Sequence, residues 1–265
     1  MTPTSHLTQP YYIQLDPTTW CATAQVSNAL IRHFTLREES VTWQISAGMS
    51  PIDGCDFTAL KWQYYAVTLT LSARETAQHQ RQLQKQGVRL LLNTLLSELN
   101  ISDSLDESSF PYRLSHSGYY VCFSHTSGAK ENNVRNRSVL AGDKQIKSSV
   151  AVIISRHRPV GIDIENHNVK WRVAQRFYSK NELVAIQSLP SNQRDRLAKL
   201  LWQIKEGFIK IHQYTLAQGL GMDYAYLIPD LMCGLEAKSA IQVLKDHLSH
   251  YHIAILPNQH TVVVF

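Results

Sequence analysis

Two carboxylates stand two residues apart in the segment 160–165, VGIDIE. On a strand, Asp163 and Glu165 point to one face, while Ile162 and Ile164 point to the other, into a core. Carboxylates held side by side repel, which raises one pKa unless a cation lies between them. Hard oxygen ligands in this arrangement suit Mg²⁺ better than zinc. The same spacing also fits a solvated pair on an edge strand, so this segment alone leaves both readings open.

A second segment, 201–210, reads LWQIKEGFIK. Trp202, Lys205, Glu206 and Lys210 stand at offsets 0, 3, 4 and 8, which reads as one helical face. Glu206 would add a third carboxylate to a magnesium site, and Lys205 and Lys210 would hold phosphate oxygens. The bland alternative is an amphipathic surface helix with a Glu–Lys pair four apart. Between the two segments lies RFYSKNE, 176–182. Ser179 followed three residues later by Glu182 has the form of a helix capping box. A carboxylate in that position is also a candidate base near the metal.

The order G-I-D-x-E, then R-F-Y-S-x-x-E, then W-x-x-K-E-x-x-x-K over 160–210 resembles the 4′-phosphopantetheinyl transferase superfamily, in its surfactin-type branch. The resemblance implies a transferase that moves the phosphopantetheine arm of coenzyme A to a serine of an apo acyl or peptidyl carrier protein, releasing adenosine 3′,5′-bisphosphate. It implies that Asp163, Glu165 and Glu206 bind Mg²⁺ with the coenzyme A diphosphate, and that Lys205 and Lys210 sit at phosphates. Glu182 matches the glutamate of the middle motif, and Glu182 or Glu206 would deprotonate the carrier serine. Upstream, the family has a lysine–proline pair and then an S-H-S/T motif whose histidine meets the 3′-phosphate. Two segments fit: Ser115-His116-Ser117 and Ser124-His125-Thr126. Distance from Pro111 favours Ser124 and His125, with His116 as the alternative. Phe110 replaces the family's lysine before Pro111, and 211–218 replaces a glycine-rich stretch before Gly219-Leu220-Gly221.

These residues need elements to hold them. The run 66–71 (AVTLTL) alternates as a half-buried strand does. From 73 to 99 the period becomes helical, with Leu83, Val88, Leu91, Leu92, Leu95 and Leu99 on one stripe and Gly87 as a possible kink. Arg81, Lys85 and Arg89 share another face, which reads as solvated. The segments 119–123 and 150–155 read as buried strands, helices are expected over 169–188 and 194–213, and a hairpin over 253–265. Residues 128–149 carry five basic side chains (Lys130, Arg135, Arg137, Lys144, Lys147) against Glu131 and Asp143, and read as a mobile, solvent-facing insertion. The resemblance implies an α/β (α+β) fold of two similar halves related by pseudo-twofold symmetry: 1–126, an insertion at 127–148 that would touch the carrier, and 149–265 with the metal motifs.

The 265 residues, 44% hydrophobic and 18% charged, fit a soluble globular chain with room for two small cores. No apolar run is long enough to span a bilayer, and the first ten residues lack the pattern of a secretory signal. Cys21, Cys55, Cys122 and Cys233 form no CxxC pair, so they read as reduced thiols in a cytoplasm. A net charge of +5 favours an anionic partner. No interleaved aromatic and basic stripe marks a nucleic-acid binder, and none is expected as a partner. A phosphohydrolase would keep the same carboxylates but use water as nucleophile. Clustered His247, His250 and His252 read as surface or hairpin residues. Two halves in one chain make a monomer the expected state.

Overall fold

In the computed structural model of the protein, residues 5–28, 72–128, 146–236, 241–256 and 260–265 are described. A long hairpin, β1 (Ser5–Asp16) and β2 (Thr19–Asn28), precedes helix α1 (Ala73–Glu98). Ser72 caps α1: its hydroxyl accepts from the Glu75 N–H at 3.2 Å, and the Glu75 carboxylate accepts from the Ser72 N–H at 2.8 Å. The reciprocal pair satisfies two donors that a helix start leaves open. Leu83, Val88, Leu91, Leu92 and Leu95 form the buried stripe, and Arg81 and Lys85 lie on the exposed side. The helix runs unbroken through Gly87, where a Cβ would lie 2.8 Å from Val26 Cγ1. That glycine lets helix and sheet touch; it does not interrupt the helix.

Strands β3 (Leu105–Asp106), β4 (Arg113–Leu114), β5 (Tyr120–Ser127) and β6 (Ile146–Ser155) complete a six-stranded antiparallel sheet of order β1-β2-β6-β5-β4-β3. Val150, Val152 and Ile154 of β6 face α1, while Ala151 and Ile153 face the second sheet; all are buried. A strand covered on both faces reads as an unbroken apolar run, which explains 150–155. The sequence reading opens the second half with this strand. Its hydrogen bonds run to β2 and β5, so it belongs to the first sheet, and the chain crosses over at 156–160. β6 also begins earlier than expected: Thr126 pairs with Ser149 and Ser127 with Ser148, inside the stretch read as insertion. Most of that insertion, and the strand expected over 66–71, lie outside the described residues.

The second sheet has the order β7-β10-β9-β8, built from β7 (Gly161–Ile164), β8 (Gln242–Lys245), β9 (His252–Leu256) and β10 (Thr261–Val264). β9 and β10 form the expected hairpin. Between β7 and β8 lie α2 (Trp171–Phe177), α3 (Lys180–Gln187), α4 (Ser191–His212), α5 (Leu216–Gly221) and α6 (Ile228–Glu236). The single helix expected over 169–188 is two, because Tyr178 and Ser179 are extended and Ser179 caps α3.

Ile162, Ile164, Ala254 and Val263 pack on Cys21, Cys122, Ala151 and Ile153 between the sheets. Ile253, Val262 and Val264, on the other face, pack against the helices, with Leu201, Ile204 and Phe208 of α4 at the centre. The result is a mixed α/β fold in which each antiparallel sheet is backed by a long helix and the two sheets meet. One contact positions the site. A Cβ on Gly161 would lie 2.1 Å from the Gly207 carbonyl oxygen, so only glycine lets α4 lie this close over β7.

Candidate active site at the junction of the two sheets

Among the described residues β7 is an edge strand, hydrogen-bonded as a strand only to β10. Its outward backbone groups therefore need other partners. Ile164 N–H donates to Ser124 Oγ at 3.1 Å, and the Ile162 carbonyl accepts from Lys210 Nζ at 2.6 Å. The same two side chains meet the first carboxylate: Ser124 Oγ donates to Asp163 Oδ1 at 2.9 Å, and Lys210 Nζ approaches it at 3.2 Å. Thr126 Oγ1 donates to Glu165 Oε1 at 3.1 Å, where the His167 N–H also donates at 2.8 Å and His167 Nδ1 lies at 3.1 Å. Ile162 and Ile164 point into the core between the sheets, as alternation predicts.

Helix α4 supplies the other wall. Lys210 sits beside Asp163, and Gln203 Nε2 donates to the His260 carbonyl at 2.7 Å and to the Asp163 carbonyl at 3.3 Å. Lys199 Nζ lies 3.4 Å from His260 Nδ1. Residues 199, 203, 206 and 210 recur at offsets 0, 4, 7 and 11, which is one narrow stripe of a 3.6-residue helix. This stripe, and not the grouping of Trp202, Lys205, Glu206 and Lys210, faces β7. The 3.6 period was the signal that would have found Lys199 and Gln203.

Lys205, five residues from Lys210, lies well around the helix. It is fully buried and donates to Glu182 Oε2 at 2.8 Å, to the Leu220 carbonyl at 2.6 Å and to the Met222 carbonyl at 2.6 Å. Its three protons are thereby used. Glu182 is equally buried: Oε2 accepts from the Ser179 N–H at 2.8 Å and Oε1 from the Tyr224 N–H at 3.0 Å. Tyr178 and Tyr224 rings flank the ammonium at 4.8 and 5.7 Å. The capping-box reading of Glu182 is what the geometry displays, extended by an internal ion pair. Neither residue is brought to the Asp163 group.

Electrostatics separate the remaining groups. Burial pushes the Glu206 carboxyl above its usual range; the Asp163 and Glu165 charges add to this and Lys210 opposes it. Burial disfavours the Lys210 charge, but Asp163, Cys122 and Glu206 outweigh it and hold its pKa above the ordinary lysine value. Burial, then the Lys210 charge, lowers the pKa of His125. His125 is exposed on β5, between the buried Ser124 and Thr126. His116 is elsewhere, 83% exposed in a turn held by Asp103, which accepts from the His116 and Ser117 N–H groups at 3.0 and 2.8 Å. Nothing in the local sequence of Asp103 pointed to that cage, since His116 and Ser117 are more than ten residues away.

Asp163, Glu165 and Glu206 present hard oxygens, and Glu206 receives no hydrogen bond from the described residues. Burial, with the Asp163 and Glu165 charges beside it, raises the Glu206 pKa, and carboxylates held this way are an environment that a divalent cation relieves, so the donor chemistry suits Mg²⁺. Among the described residues the acidic and histidine side chains are not already gathered into a metal cluster. No helix of the described residues is long and apolar enough to cross a membrane.

This architecture, a β-edge carboxylate pair under a helix that carries a third carboxylate and a lysine, coincides with the segment that known proteins share. Residues 159–262 match the model of the 4′-phosphopantetheinyl transferase superfamily. The chain is 36% identical over 73 residues to 4′-phosphopantetheinyl transferase psf-1 of Bacillus pumilus, covering 27% of this chain and 31% of that protein. It is 40% identical over 62 residues to 4′-phosphopantetheinyl transferase gsp of Aneurinibacillus migulanus, covering 23% and 26%. The matched stretches thus span less than a third of either relative.

Proposed function

We propose that the protein transfers the 4′-phosphopantetheine arm of coenzyme A to a serine hydroxyl of an apo acyl or peptidyl carrier protein, releasing adenosine 3′,5′-bisphosphate. The observation that carries this reading is the Asp163–Glu165–Glu206 group with Lys210 beside it, inside the superfamily segment. Asp163, Glu165 and Glu206 are the residues we assign to Mg²⁺. Bound with the diphosphate, the ion supplies charge neutralisation at the phosphorus under attack and on the leaving bisphosphate.

Lys210 provides a fixed ammonium for a phosphate oxygen, exchanging its contact with Asp163 for the more highly charged ligand. Of the two glutamates considered as base, Glu206 is favoured, because both oxygens of Glu182 are taken up within the fold, away from Asp163. Glu182 and Lys205 are assigned to holding α3, α4 and the 220–224 loop together. His125, exposed on β5 and within the influence of the Lys210 charge, is assigned to the 3′-phosphate in preference to His116. The two sheet-and-helix halves, divided at 156–160, are proposed to be related by a pseudo-twofold axis in a monomer that works in the cytoplasm. We further propose that the basic insertion touches the carrier. Nonribosomal peptide and siderophore synthesis are among the pathways such a carrier serves.

The test is the intact mass of an apo carrier after incubation with the protein, coenzyme A and Mg²⁺, beside an Asp163→Ala control. A gain of one phosphopantetheine that needs the metal and is lost in the control supports the reading. Bisphosphate released with no gain on the carrier would instead identify a hydrolase using water.

A further inference from the structure

β5 and β7 belong to different sheets, yet their side chains meet in a constant register. Ser124 reaches Asp163, Thr126 reaches Glu165, and Asn166 Nδ2 donates to the Ser127 carbonyl at 3.2 Å; each pair is separated by 39 residues in sequence. Two strands running side by side in the same direction produce such a constant offset. Because both have a side-chain period of two, S-x-T on β5 is matched to D-x-E on β7. Two hydroxyls fall on two carboxylates, and His125 is left on the other face.

We infer that Thr126 and Ser124 are positioning residues that orient Glu165 and Asp163 for a divalent cation. The inference rests on the proposed reading of these carboxylates as metal ligands. Each hydroxyl has one proton to donate, and both protons are already committed to carboxylate oxygens. Ser124 also accepts from Ile164 N–H, so its oxygen is tied to the β7 backbone as well as to Asp163. Each carboxylate is held through a single oxygen: Oδ1 of Asp163 by Ser124 and Lys210, and Oε1 of Glu165 by Thr126 and His167. Among the described residues no hydrogen bond reaches the second oxygen of either, which leaves one oxygen per carboxylate oriented and free. Ser124 and Thr126 are only 6% and 7% exposed, so water does not compete for these bonds. Outer partners of this kind fix the orientation of metal-binding side chains.

The experiment measures Mn²⁺ affinity in the presence of coenzyme A by the electron paramagnetic resonance signal of free Mn²⁺. Wild type is compared with Thr126→Val, Thr126→Ser and Asp163→Ala. Thr126→Val keeps the shape and removes the hydroxyl, and is expected to weaken Mn²⁺ binding roughly tenfold. Thr126→Ser restores the donor and is expected to bind as wild type does. Should the valine variant fail to fold, Thr126→Ala against Thr126→Ser makes the same comparison. Valine binding as tightly as wild type, or serine losing as much as valine, overturns the inference while leaving the carboxylates as ligands. Wild type without Mn²⁺ binding, or Asp163→Ala binding undiminished, overturns both the inference and the metal reading beneath it.

Discussion

Helix α4 carries two lysine–carboxylate contacts that look alike in sequence and differ in everything that matters to function. Lys205 and Glu182 are fully buried at 2.8 Å, and every proton of the one and both oxygens of the other are engaged within the fold. Lys210 and Asp163, at 3.2 Å, remain partly exposed, with side chains 21% and 12% accessible, and stand beside two further carboxylates. The closed pair has nothing left to offer a ligand, so removing it should affect folding. The open pair sits in unbalanced negative charge, so removing it should affect chemistry.

The largest effect expected from that contrast is on activity. Asp163→Ala should reduce carrier modification by roughly a hundredfold to a thousandfold, the scale seen when a preorganised charge-stabilising group is removed, with little change in thermal midpoint. Rate and melting temperature measured on the same preparation check this; a large loss of stability would erase the contrast. Next, Glu182→Ala should destabilise the protein by about 3–5 kcal/mol, because it strands a buried ammonium. Urea unfolding measures it. The double change Glu182→Leu with Lys205→Met should cost less than the single one, since no charge is then left unpaired.

The pH dependence should be smaller and of defined sign. Glu206 is held above its unfolded value by burial and by Asp163 and Glu165. The stability linked to its proton is therefore complete below the unfolded pKa and is lost as pH rises through the folded one. In metal-free protein, Glu206→Gln should flatten this decline, read as denaturation midpoint against pH; an unchanged slope would remove Glu206 as its source. Smallest of all, His116→Ala should leave transfer close to wild type, whereas His125→Ala should raise the coenzyme A KM by about tenfold, the worth of one charge-assisted hydrogen bond. Equal effects would return His116 to the site.

Much of this was legible from local pattern. Alternation in 160–165 placed Ile162 and Ile164 inward; the leucine period of 73–99 located α1 and its buried stripe; the apolar run 150–155 was a covered strand. The capping box at Ser179 and Glu182 was equally visible. The harder questions concerned orientation. Offsets along α4 admitted two overlapping stripes, and only contact with β7 selected the one through Lys199, Gln203, Glu206 and Lys210.

By itself the sequence determined which residue types recur at helical and strand periods, and hence the elements, their buried faces and the carboxylate motif. These follow from geometry that repeats within a few residues. Only the tertiary structure decided that β6 joins the first sheet, that Gly161 and Gly207 bring α4 onto β7, that Lys205 is closed off, and that Ser124 and Thr126 meet Asp163 and Glu165 across 39 residues. Those outcomes depend on which distant surfaces pack together. The energy that settles them comes from burial and hydrogen bonding between segments, which no local period encodes.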